Sequence, residues 1–360
     1  MSQFISLLDQ LGNDNECTWV LQWLSGDPAN QERIFDRGCY TAPTVDYLSD
    51  QEKAQIFDWY FDLASLTKVM LTSSLFLREF ELSKTADPKV FYASKLLEYI
   101  PELKSTALEN VTLIELLEHR SGLAAWKNCF EPARKDSNPK LRDEQWQEAL
   151  QAILSAEMTE TGQSCYSDLG YMLLGLYLER KKQKKLDTQW MEFKESLSMA
   201  EPSLCFLPDD QKICVPTEIR HKRGQVNDDN TFSLAGISSH AGLWGRLIDC
   251  WNYLCLLNEW IDSNKKLAFY KKIPQDHKNR FYYGWDRATD PSSSSAGTKF
   301  PDGVIGHLGY TGTALWWDPA GNRAGILLSN RVYPQATNRN KELILKVRRA
   351  FFDDLWQNDI

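Results

Sequence analysis

The sequence predicts an α/β protein of the α+β type, in which a mainly antiparallel sheet is flanked by helices and carries a mostly helical subdomain. Strand-like patterns occur near both ends of the 360-residue chain, and helical patterns fill its middle. The chain is also long enough, with 42% hydrophobic residues, to bury a large core. We expect one domain with two parts: a discontinuous sheet part, 1–80 and 216–360, and a helical part, 81–215.

The elements follow in order from these patterns. Residues 4–11 have helical amphipathicity, and 18–24 and 33–40 have the composition of strands joined by a turn-rich segment, which predicts a hairpin. Residues 62–80 predict a long buried helix with Asp62 as its N-cap. Further apolar periodicity predicts helices at 89–100, 112–119, 144–156, 168–182, 187–197 and 247–260. Strands are predicted at 304–312, 313–319 and 324–330, followed by an amphipathic helix at 341–356.

Composition excludes several classes of partner. The net charge of -8 argues against nucleic acid, which requires a basic face. No apolar run is long enough to span a membrane. The first basic residue is Arg33, so the N-terminus lacks the charged region of a signal peptide, and the eight cysteines are scattered. We therefore expect reduced thiols and a cytoplasmic location.

The sequence offers no pattern for a metal or a cofactor. The histidines are far apart, no Cys/His cluster has metal-ligand spacing, and no glycine-rich loop fits a nucleotide phosphate. We therefore expect no metal and no cofactor.

A serine three residues before a lysine occurs three times in the chain, as Ser65/Lys68, Ser137/Lys140 and Ser263/Lys266. Only the first pair stands at the start of an apolar helix, where both side chains share one face. Free N–H groups and the helix dipole there favour an oxyanion and a neutral lysine. A buried neutral Lys68 can accept the proton of Ser65. The alternative is a first-turn serine with a lysine that extends to the surface.

Two further segments carry polar groups that suit the same chemistry. Tyr166 and Asp168 precede an apolar helix, and a tyrosine beside a lysine is expected to have a lowered pKa and to act as a base. The alternative is a core tyrosine with Asp168 as the helix cap. Residues 306–312, GHLGYTG, predict a glycine-rich edge strand on which Tyr310 N–H and Ser65 N–H form an oxyanion hole. The alternative is an ordinary hairpin.

Together these segments resemble the serine β-lactamase and penicillin-binding-protein superfamily, in its class C-like branch. The blocks FDLASLTKVMLT, LIELLEHRSGL, VNDDNTFSLAGISSHAGLWG and LLSNRVYP resemble blocks of that branch in the same order, from about 55 to 335. The branch also includes D-Ala-D-Ala peptidases and esterases. The resemblance implies a β-lactamase/transpeptidase-like fold with its site between the sheet and the helical subdomain.

By resemblance, Ser65 is the acylated nucleophile, and Lys68 and Tyr166 share the general-base work. The late-strand KTG motif corresponds to His307-Leu308-Gly309, and the asparagine of YxN corresponds to Asp168. By the same resemblance, the amides of Ser65 and Tyr310 form the oxyanion hole. The site departs from that pattern, since His307 replaces a lysine that helps to hold a substrate carboxylate and Asp168 replaces an amide donor. His119 and His240 lie inside the resembling blocks, and we interpret both as residues that support the site.

The resemblance implies a serine hydrolase that cleaves an ester or an amide, of the carboxylesterase type or the D-amino-acid and cell-wall-peptide type. The two departures and a cytoplasmic location weaken the case for a β-lactamase, which stays an alternative. A non-catalytic binding or regulatory protein on the same scaffold is another alternative, and acyl transfer to an acceptor other than water is a third. The implied partner is a small-molecule or peptide substrate, and the oligomeric state stays open.

Overall fold

The strands of the protein were located in a computed structural model that describes residues 3–13, 17–129, 142–160, 162–275 and 279–357. The predicted pair Ser137/Lys140 lies outside these residues. The strands are β1 (Val20–Gly26), β2 (Ile34–Thr41), β3 (Trp59–Asp62), β4 (Ile213–Cys214), β5 (Trp244–Gly245), β6 (Phe281–Tyr282), β7 (Trp285–Arg287), β8 (Ile305–Leu308), β9 (Ala314–Asp318) and β10 (Arg323–Ser329).

The helices lie mainly between β3 and β6 in the chain. They are α1 (Gln3–Gly12), α2 (Asp50–Ala54), α3 (Ser74–Leu82), α4 (Pro88–Tyr92), α5 (Leu113–Leu117), α6 (Arg142–Leu154), α7 (Asp168–Lys182), α8 (Leu186–Ser196), α9 (Asp229–Ser233), α10 (Leu247–Ser263) and α11 (Asn338–Gln357). Most of these helices agree with the predicted segments. The segment 89–100 is an exception, because only its first part is α-helical and a short 3₁₀ turn follows.

A seven-stranded antiparallel sheet joins the two ends of the chain, in the order β2-β1-β10-β9-β8-β7-β6. The predicted hairpin of β1 and β2 is confirmed by their pairing. Every residue of β1 is buried, and so is β10 after its first residue, so helices cover both faces of the sheet there. Helix α10 packs on β1 and β10, and α11 packs on β10 and α1. The predicted fold class, an antiparallel sheet flanked by helices, is thereby confirmed.

The strands of the seven-stranded sheet fall within 1–80 and 216–360, and helices α4 to α8 fall within 81–215. Strand β4, which pairs with β3, lies at the end of the range 81–215. One hydrophobic core nevertheless runs through both parts, from Phe4 in α1 to Trp356 in α11. Helix α7 is buried from Leu169 to Leu178 on all sides, as expected for a helix without a polar face. The subdomain boundaries stay a prediction.

The prediction of one long helix over 62–80 is wrong at its start. Asp62 ends β3 instead of capping the helix, and it is pinned there because its carboxylate accepts the N–H groups of Ala64 and Asn227. The helix begins only after Ser65, with a π-helical segment at Lys68–Ser73 that leads into α3. Residues 59–62 are apolar enough for either structure, and pairing with β4 and β5 decides for a strand.

The prediction of an edge strand at 306–312 is also wrong. β8 lies between β9 and β7, and the edges of the sheet are β2 and β6. Pairing with β7 covers only Ile305 and Gly306, however, so His307 and Leu308 have no strand on that side. The last two residues of β8 therefore lack a paired strand on the β7 side, and they line the cavity described below.

Candidate active site

Ser65 lies on a sharp turn between β3 and the helix that follows. Ala64, immediately before it, has a φ of +47°, a left-handed conformation that is costly for a residue with a Cβ. The N–H of Ala64 donates to the Asp62 carboxylate at 2.8 Å, which holds the turn. Ser65 is thus placed at the exposed end of a strained connection, half-buried, while the residues around it are buried.

Lys68 contacts Ser65 and is completely buried. Its Nζ lies 3.0 Å from Ser65 Oγ, 2.9 Å from the carbonyl oxygen of His240 and 2.7 Å from Asp168 Oδ1. Burial lowers the pKa of Lys68, and the Asp168 carboxylate opposes this by raising it. The alternative that Lys68 extends to the surface is therefore wrong, because its amino group is buried and contacts the Ser65 hydroxyl.

The third serine–lysine pair has no such arrangement. Ser263 Oγ donates to the carbonyl oxygen of Trp260 at 3.0 Å, within α10. Lys266 Nζ donates instead to the carbonyl oxygens of Glu81 and Ser83. The spacing alone does not bring the two groups together, since both are taken up by nearby carbonyls.

Tyr166 lies against both members of the first pair. Lys68 Nζ is 5.0 Å from the centre of the Tyr166 ring. Burial raises the pKa of Tyr166 well above 10, the Asp168 carboxylate raises it further, and a hydrogen bond with the Ser65 hydroxyl only partly opposes this. The prediction that Lys68 would lower the pKa of this tyrosine is therefore wrong. Tyr166 is a phenol in the free protein, because desolvation and the nearby carboxylate both disfavour a phenolate.

His119 supports Tyr166 from behind. Its ring centre lies 4.6 Å from that of Tyr166 and 5.0 Å from that of Tyr171. Its Nδ1 accepts the N–H of Ser167 at 3.0 Å, so Nδ1 is the unprotonated nitrogen. Burial and the charge of Lys68 lower the pKa of His119 well below 6.5. A neutral imidazole wedged between aromatic rings fixes the direction of the Tyr166 side chain.

Asp168 does not cap α7. The cap is Ser167, whose Oγ accepts the N–H of Gly170 at 3.2 Å, and Asp168 is the first residue of the helix. This placement turns the Asp168 carboxylate toward Lys68 and accounts for their ion pair. The Asp168 carboxylate can only accept hydrogen bonds when it is ionised, and its contact with Lys68 raises the pKa of that lysine.

His307 lies at the open end of β8 and is buried. Its Nδ1 lies 2.9 Å from the carbonyl oxygen of Leu308, so Nδ1 carries the proton, and Nε2 has no hydrogen-bond partner in the described structure. Burial, and then the charge of Lys68, lower the pKa of His307 to about 3. His307 is therefore neutral near pH 7 and cannot supply the positive charge that a lysine would bring to this position.

The predicted oxyanion donors are both available. In the described part of the chain, no acceptor is found for the N–H of Ser65 or of Tyr310, whereas several N–H groups on the same two turns are used. The turn that carries Tyr310 is tied to the Ser65 turn by Thr313 Oγ1, which donates to the carbonyl oxygen of Leu63, and Thr311 Oγ1, which donates to that of Asp62. Two N–H groups without an acceptor on connected turns are compatible with the predicted oxyanion hole, which stays a prediction.

Gly309 makes this connection possible. A Cβ at Gly309 would lie 2.0 Å from Thr313 Oγ1 and 2.7 Å from the carbonyl oxygen of Leu63. Glycine at position 309 therefore lets the Ser65 turn and the Tyr310 turn pack closely together. This packing explains the glycine without the predicted approach of a ligand to the backbone.

Replacing Gly309 with alanine is expected to move these two turns apart. We expect the free energy of unfolding to fall by about 1–3 kcal/mol, as for overpacked core sites. We also expect acylation of Ser65 to slow by up to about 100-fold, because displacement by about an ångström costs that much in a preorganised site. Urea unfolding and the rate of p-nitrophenyl acetate turnover measure the two effects. Gly12→Ala is the matched control, since nothing lies within 4 Å of a Cβ there; an equal effect at both sites would contradict the explanation.

His240 is buried, and it makes contacts through both its backbone carbonyl and its imidazole ring. Its carbonyl oxygen contacts Lys68 Nζ. Its ring lies 2.8 Å from Asp228 Oδ1 through Nε2 and 2.8 Å from Ser238 Oγ through Nδ1. Burial alone would raise the pKa of Asp228, but the interaction with His240 outweighs it and lowers that pKa below its usual range. His240 thus connects Lys68 to Asp228 and Ser238, and its role as a supporting residue stays a prediction.

A cavity of about 670 Å³ opens onto these residues. The walls include Ser65, Tyr166, Asp168, His307 and Tyr310, together with residues of α9, α11 and the segment after β10. The structure therefore brings together the residues predicted from three distant segments. Sequence reasoning missed Asp228 and Arg331 in this wall; both stand inside blocks used for the resemblance, VNDDN and LLSNRVYP, which was the available signal.

The described ranges contain no helix long and apolar enough to cross a membrane. In the same residues, no group of three or more His, Cys, Asp or Glu side chains could hold a metal ion. All eight cysteines belong to the described part and carry free thiols.

A family model described as Beta-lactamase matches residues 57–349. The chain is 28% identical over 305 residues to the N-acetylmuramyl-L-alanine amidase of Bacillus subtilis, a match that covers 75% of this chain and 68% of the amidase.

Solved structures share the fold at low identity. A structure of EstCE1, a hydrolase with promiscuous acyltransferase activity, superposes with a TM-score of 0.67 at 14% identity and covers 97% of each chain. A β-lactamase/D-alanine carboxypeptidase from Yersinia pestis, complexed with citrate, superposes with a TM-score of 0.63 at 15% identity and covers 97% of this chain and 98% of the other.

Proposed function

Since the chain belongs to the β-lactamase family and is a serine hydrolase of that family, we propose that it cleaves an ester or an amide through an acyl-enzyme on Ser65. The observation that carries this proposal is the completely buried Lys68 Nζ, 3.0 Å from Ser65 Oγ. Burial favours the neutral form of the lysine, and the hydrogen-bond distance to the serine lets that amine accept the hydroxyl proton. This arrangement activates a serine as a nucleophile. A scaffold used only for binding has no need of it.

The proposed reaction begins with Lys68 as the general base. Its lowered pKa makes the neutral amine accessible, whereas the raised pKa of Tyr166 keeps that residue a phenol. Neutral Lys68 takes the proton of Ser65 as Oγ attacks the carbonyl carbon. The N–H groups of Ser65 and Tyr310 receive the charge that develops on the carbonyl oxygen.

The leaving group then needs a proton. The Tyr166 phenol, hydrogen-bonded with Ser65, delivers it as the bond to the acyl group breaks, and the Lys68 ammonium returns a proton to Tyr166. Water attacks the acyl-enzyme with Lys68 again as the base, which releases the acid and restores Ser65. Each half of the reaction uses one proton that shuttles within the site, so protons balance over the cycle.

Two substrate classes fit this site: an ester of the carboxylesterase type, and an amide of the D-amino-acid or cell-wall-peptide type. The names of the similar proteins include an amidase and a hydrolase with promiscuous acyltransferase activity. β-Lactam hydrolysis is the weaker candidate, because His307 is neutral and Asp168 is a carboxylate engaged with Lys68. Acyl transfer is tested by adding alcohols or amines and asking whether product is diverted from the free acid.

The proposal is tested by intact-mass spectrometry of the folded protein after incubation with a fluorophosphonate, p-nitrophenyl acetate and a penicillin. A single adduct located on Ser65 supports an activated serine, and the lifetime of each acyl form ranks the three reaction types. Folded protein without an adduct from any reagent contradicts the proposal and favours a binding protein on this scaffold.

The Asp168 carboxylate is expected to set the pH range of activity. Because it raises the pKa of Lys68, replacing it with an uncharged amide in Asp168→Asn should let that pKa fall further. Neutral Lys68 then becomes available at lower pH, so the rising limb of kcat/KM against pH should move toward acid. Profiles of p-nitrophenyl acetate turnover measure the shift. If the rising limb stays in place or moves to higher pH, Asp168 does not act on the general base. Asp187→Asn, in the first turn of α8, is the control.

A further inference from the structure

Asn227 lies in the cavity wall with a polar atom that the protein does not use. The residue is 8% exposed and lies between β4 and α9. Its Oδ1 is buried, and within the described ranges no hydrogen-bond donor is found for it. Most buried polar atoms of a folded protein are hydrogen-bonded, because burial removes the water that would otherwise bind them. An unpaired acceptor in a cavity wall therefore points to a group that comes from a ligand.

A second asparagine in the same segment, Asn230, shows the contrast. Its Oδ1 accepts the N–H of Cys129 at 2.9 Å, and its Nδ2 donates to the carbonyl oxygen of Lys127 at 2.9 Å. Both ends of that carboxamide are used to hold α9 to another segment of the chain. Asn230 is completely buried and is not part of the cavity wall, whereas Asn227 is. Burial of an asparagine in this segment therefore does not by itself leave the carboxamide unpaired.

One buried carboxylate joins Asn227 to the turn that carries the nucleophile. Asp62 Oδ2 accepts the backbone N–H of Asn227 at 2.7 Å, and Asp62 Oδ1 accepts that of Ala64 at 2.8 Å. Ala64 is the residue immediately before Ser65. The Asn227 backbone is thus held in place relative to Ser65, which is what a residue that orients a substrate requires.

The carboxamide of Asn227 offers chemistry that Asp168, in the same wall, does not. The Asp168 carboxylate only accepts hydrogen bonds when ionised, and it is engaged with Lys68. An asparagine side chain has an acceptor oxygen and an NH₂ donor, which match the N–H and the carbonyl oxygen of a secondary amide. His307 Nε2 is another uncharged acceptor in this wall without a partner in the described structure. Both groups favour an amide N–H over an anion.

We propose that the Asn227 carboxamide binds a secondary amide of the substrate, next to the carbonyl group that Ser65 attacks. The proposal rests on the proposed function, and it narrows the substrates to acyl compounds with a peptide-like amide within a few bonds of the reacting ester or amide. Asn227 holds the substrate and takes no part in proton transfer, so recognition and chemistry are separable.

The test compares two esters with the same reacting group and the same chain length, p-nitrophenyl N-acetylglycinate and p-nitrophenyl pentanoate. The first carries a secondary amide and the second does not. Each kcat/KM is divided by the rate constant for alkaline hydrolysis of the same ester, which removes the difference in intrinsic reactivity. We expect the wild type to prefer the ester with the amide by about 10-fold to 100-fold, as for one or two hydrogen bonds in a desolvated site.

Asn227→Ala should lower this preference by about 10-fold or more, because alanine offers neither donor nor acceptor. Asn227→Asp keeps the size of the side chain and should also lower the preference, since a carboxylate cannot donate to the amide carbonyl oxygen. It keeps the experiment decisive if Asn227→Ala does not fold, which urea unfolding shows. Asn258→Ala is the matched control and should keep the preference. Asn258 is 2% exposed and its Oδ1 is also without a partner in the described ranges, but it lies in α10 and does not line this cavity.

Turnover of both esters with the same preference in wild type and Asn227→Ala would overturn the inference alone. So would a loss of the preference that is equal in Asn258→Ala. If neither ester is turned over and no reagent labels Ser65 in the wild type, the proposed function fails and the inference falls with it.

Discussion

Replacing Ser65 with alanine is expected to abolish both covalent labelling and turnover while leaving the fold intact. The side chain lost is a single hydroxyl at a half-buried position, so the free energy of unfolding should change little. Loss of a covalent nucleophile leaves only binding and the oxyanion donors, and we expect kcat/KM to fall by about 10⁴-fold or more. Intact mass after fluorophosphonate treatment and turnover of p-nitrophenyl acetate measure the two losses.

Ser263→Ala supplies the matched control, because Ser263 has the same spacing to a lysine but donates to a helix carbonyl. This variant should label and react like the wild type. Labelling that persists in Ser65→Ala, or that disappears in Ser263→Ala, would assign the nucleophile to another residue and would contradict the mechanism.

Replacing Lys68 with methionine is expected to give the second-largest loss. Methionine fills the buried space but cannot accept a proton, so acylation should slow by about 10²–10⁴-fold, the usual contribution of a general base. The rising limb of kcat/KM against pH should also disappear. If kcat/KM of the Lys68→Met variant still rises over the same pH range as in the wild type, another group is the general base.

Lys68→Met leaves the Asp168 carboxylate without its partner, so the double variant Lys68→Met with Asp168→Asn keeps the experiment interpretable if the single variant is unstable. Lys266→Met is the matched control for the loss of a lysine.

The free energy of unfolding is also expected to depend on pH through Lys68. Because the pKa of Lys68 is lower in the folded state, the unfolded chain binds the extra proton between that pKa and 10.5, and wild-type stability should rise with pH through this window. The Lys68→Met variant should lack this rise, which urea unfolding at several pH values measures.

Much of the fold could be predicted because its signals are local. Helix α7 coincides with the predicted segment 168–182, since fifteen residues without a proline and with a serine immediately before them favour a capped helix. The strands β9 and β10 likewise followed from apolar runs between glycine-containing turns. The start of the helix after Ser65 could not be predicted, because residues 59–62 become a strand only through pairing with residues more than 150 positions later.

The sequence by itself predicted that Ser65 and Lys68 lie close together at the start of an apolar helix, since side chains three residues apart are neighbours on helical backbone. Only the tertiary structure decided which serine–lysine pair is a site. Lys68 is buried and contacts the carbonyl oxygen of His240, 172 positions away, and the carboxylate of Asp168. Lys266 Nζ instead donates to carbonyl and hydroxyl oxygens near the end of α3 and does not contact Ser263. The tertiary structure likewise decided that Tyr166 stays a phenol. Burial and charge depend on neighbours distant in the sequence, and spacing carries no information about them.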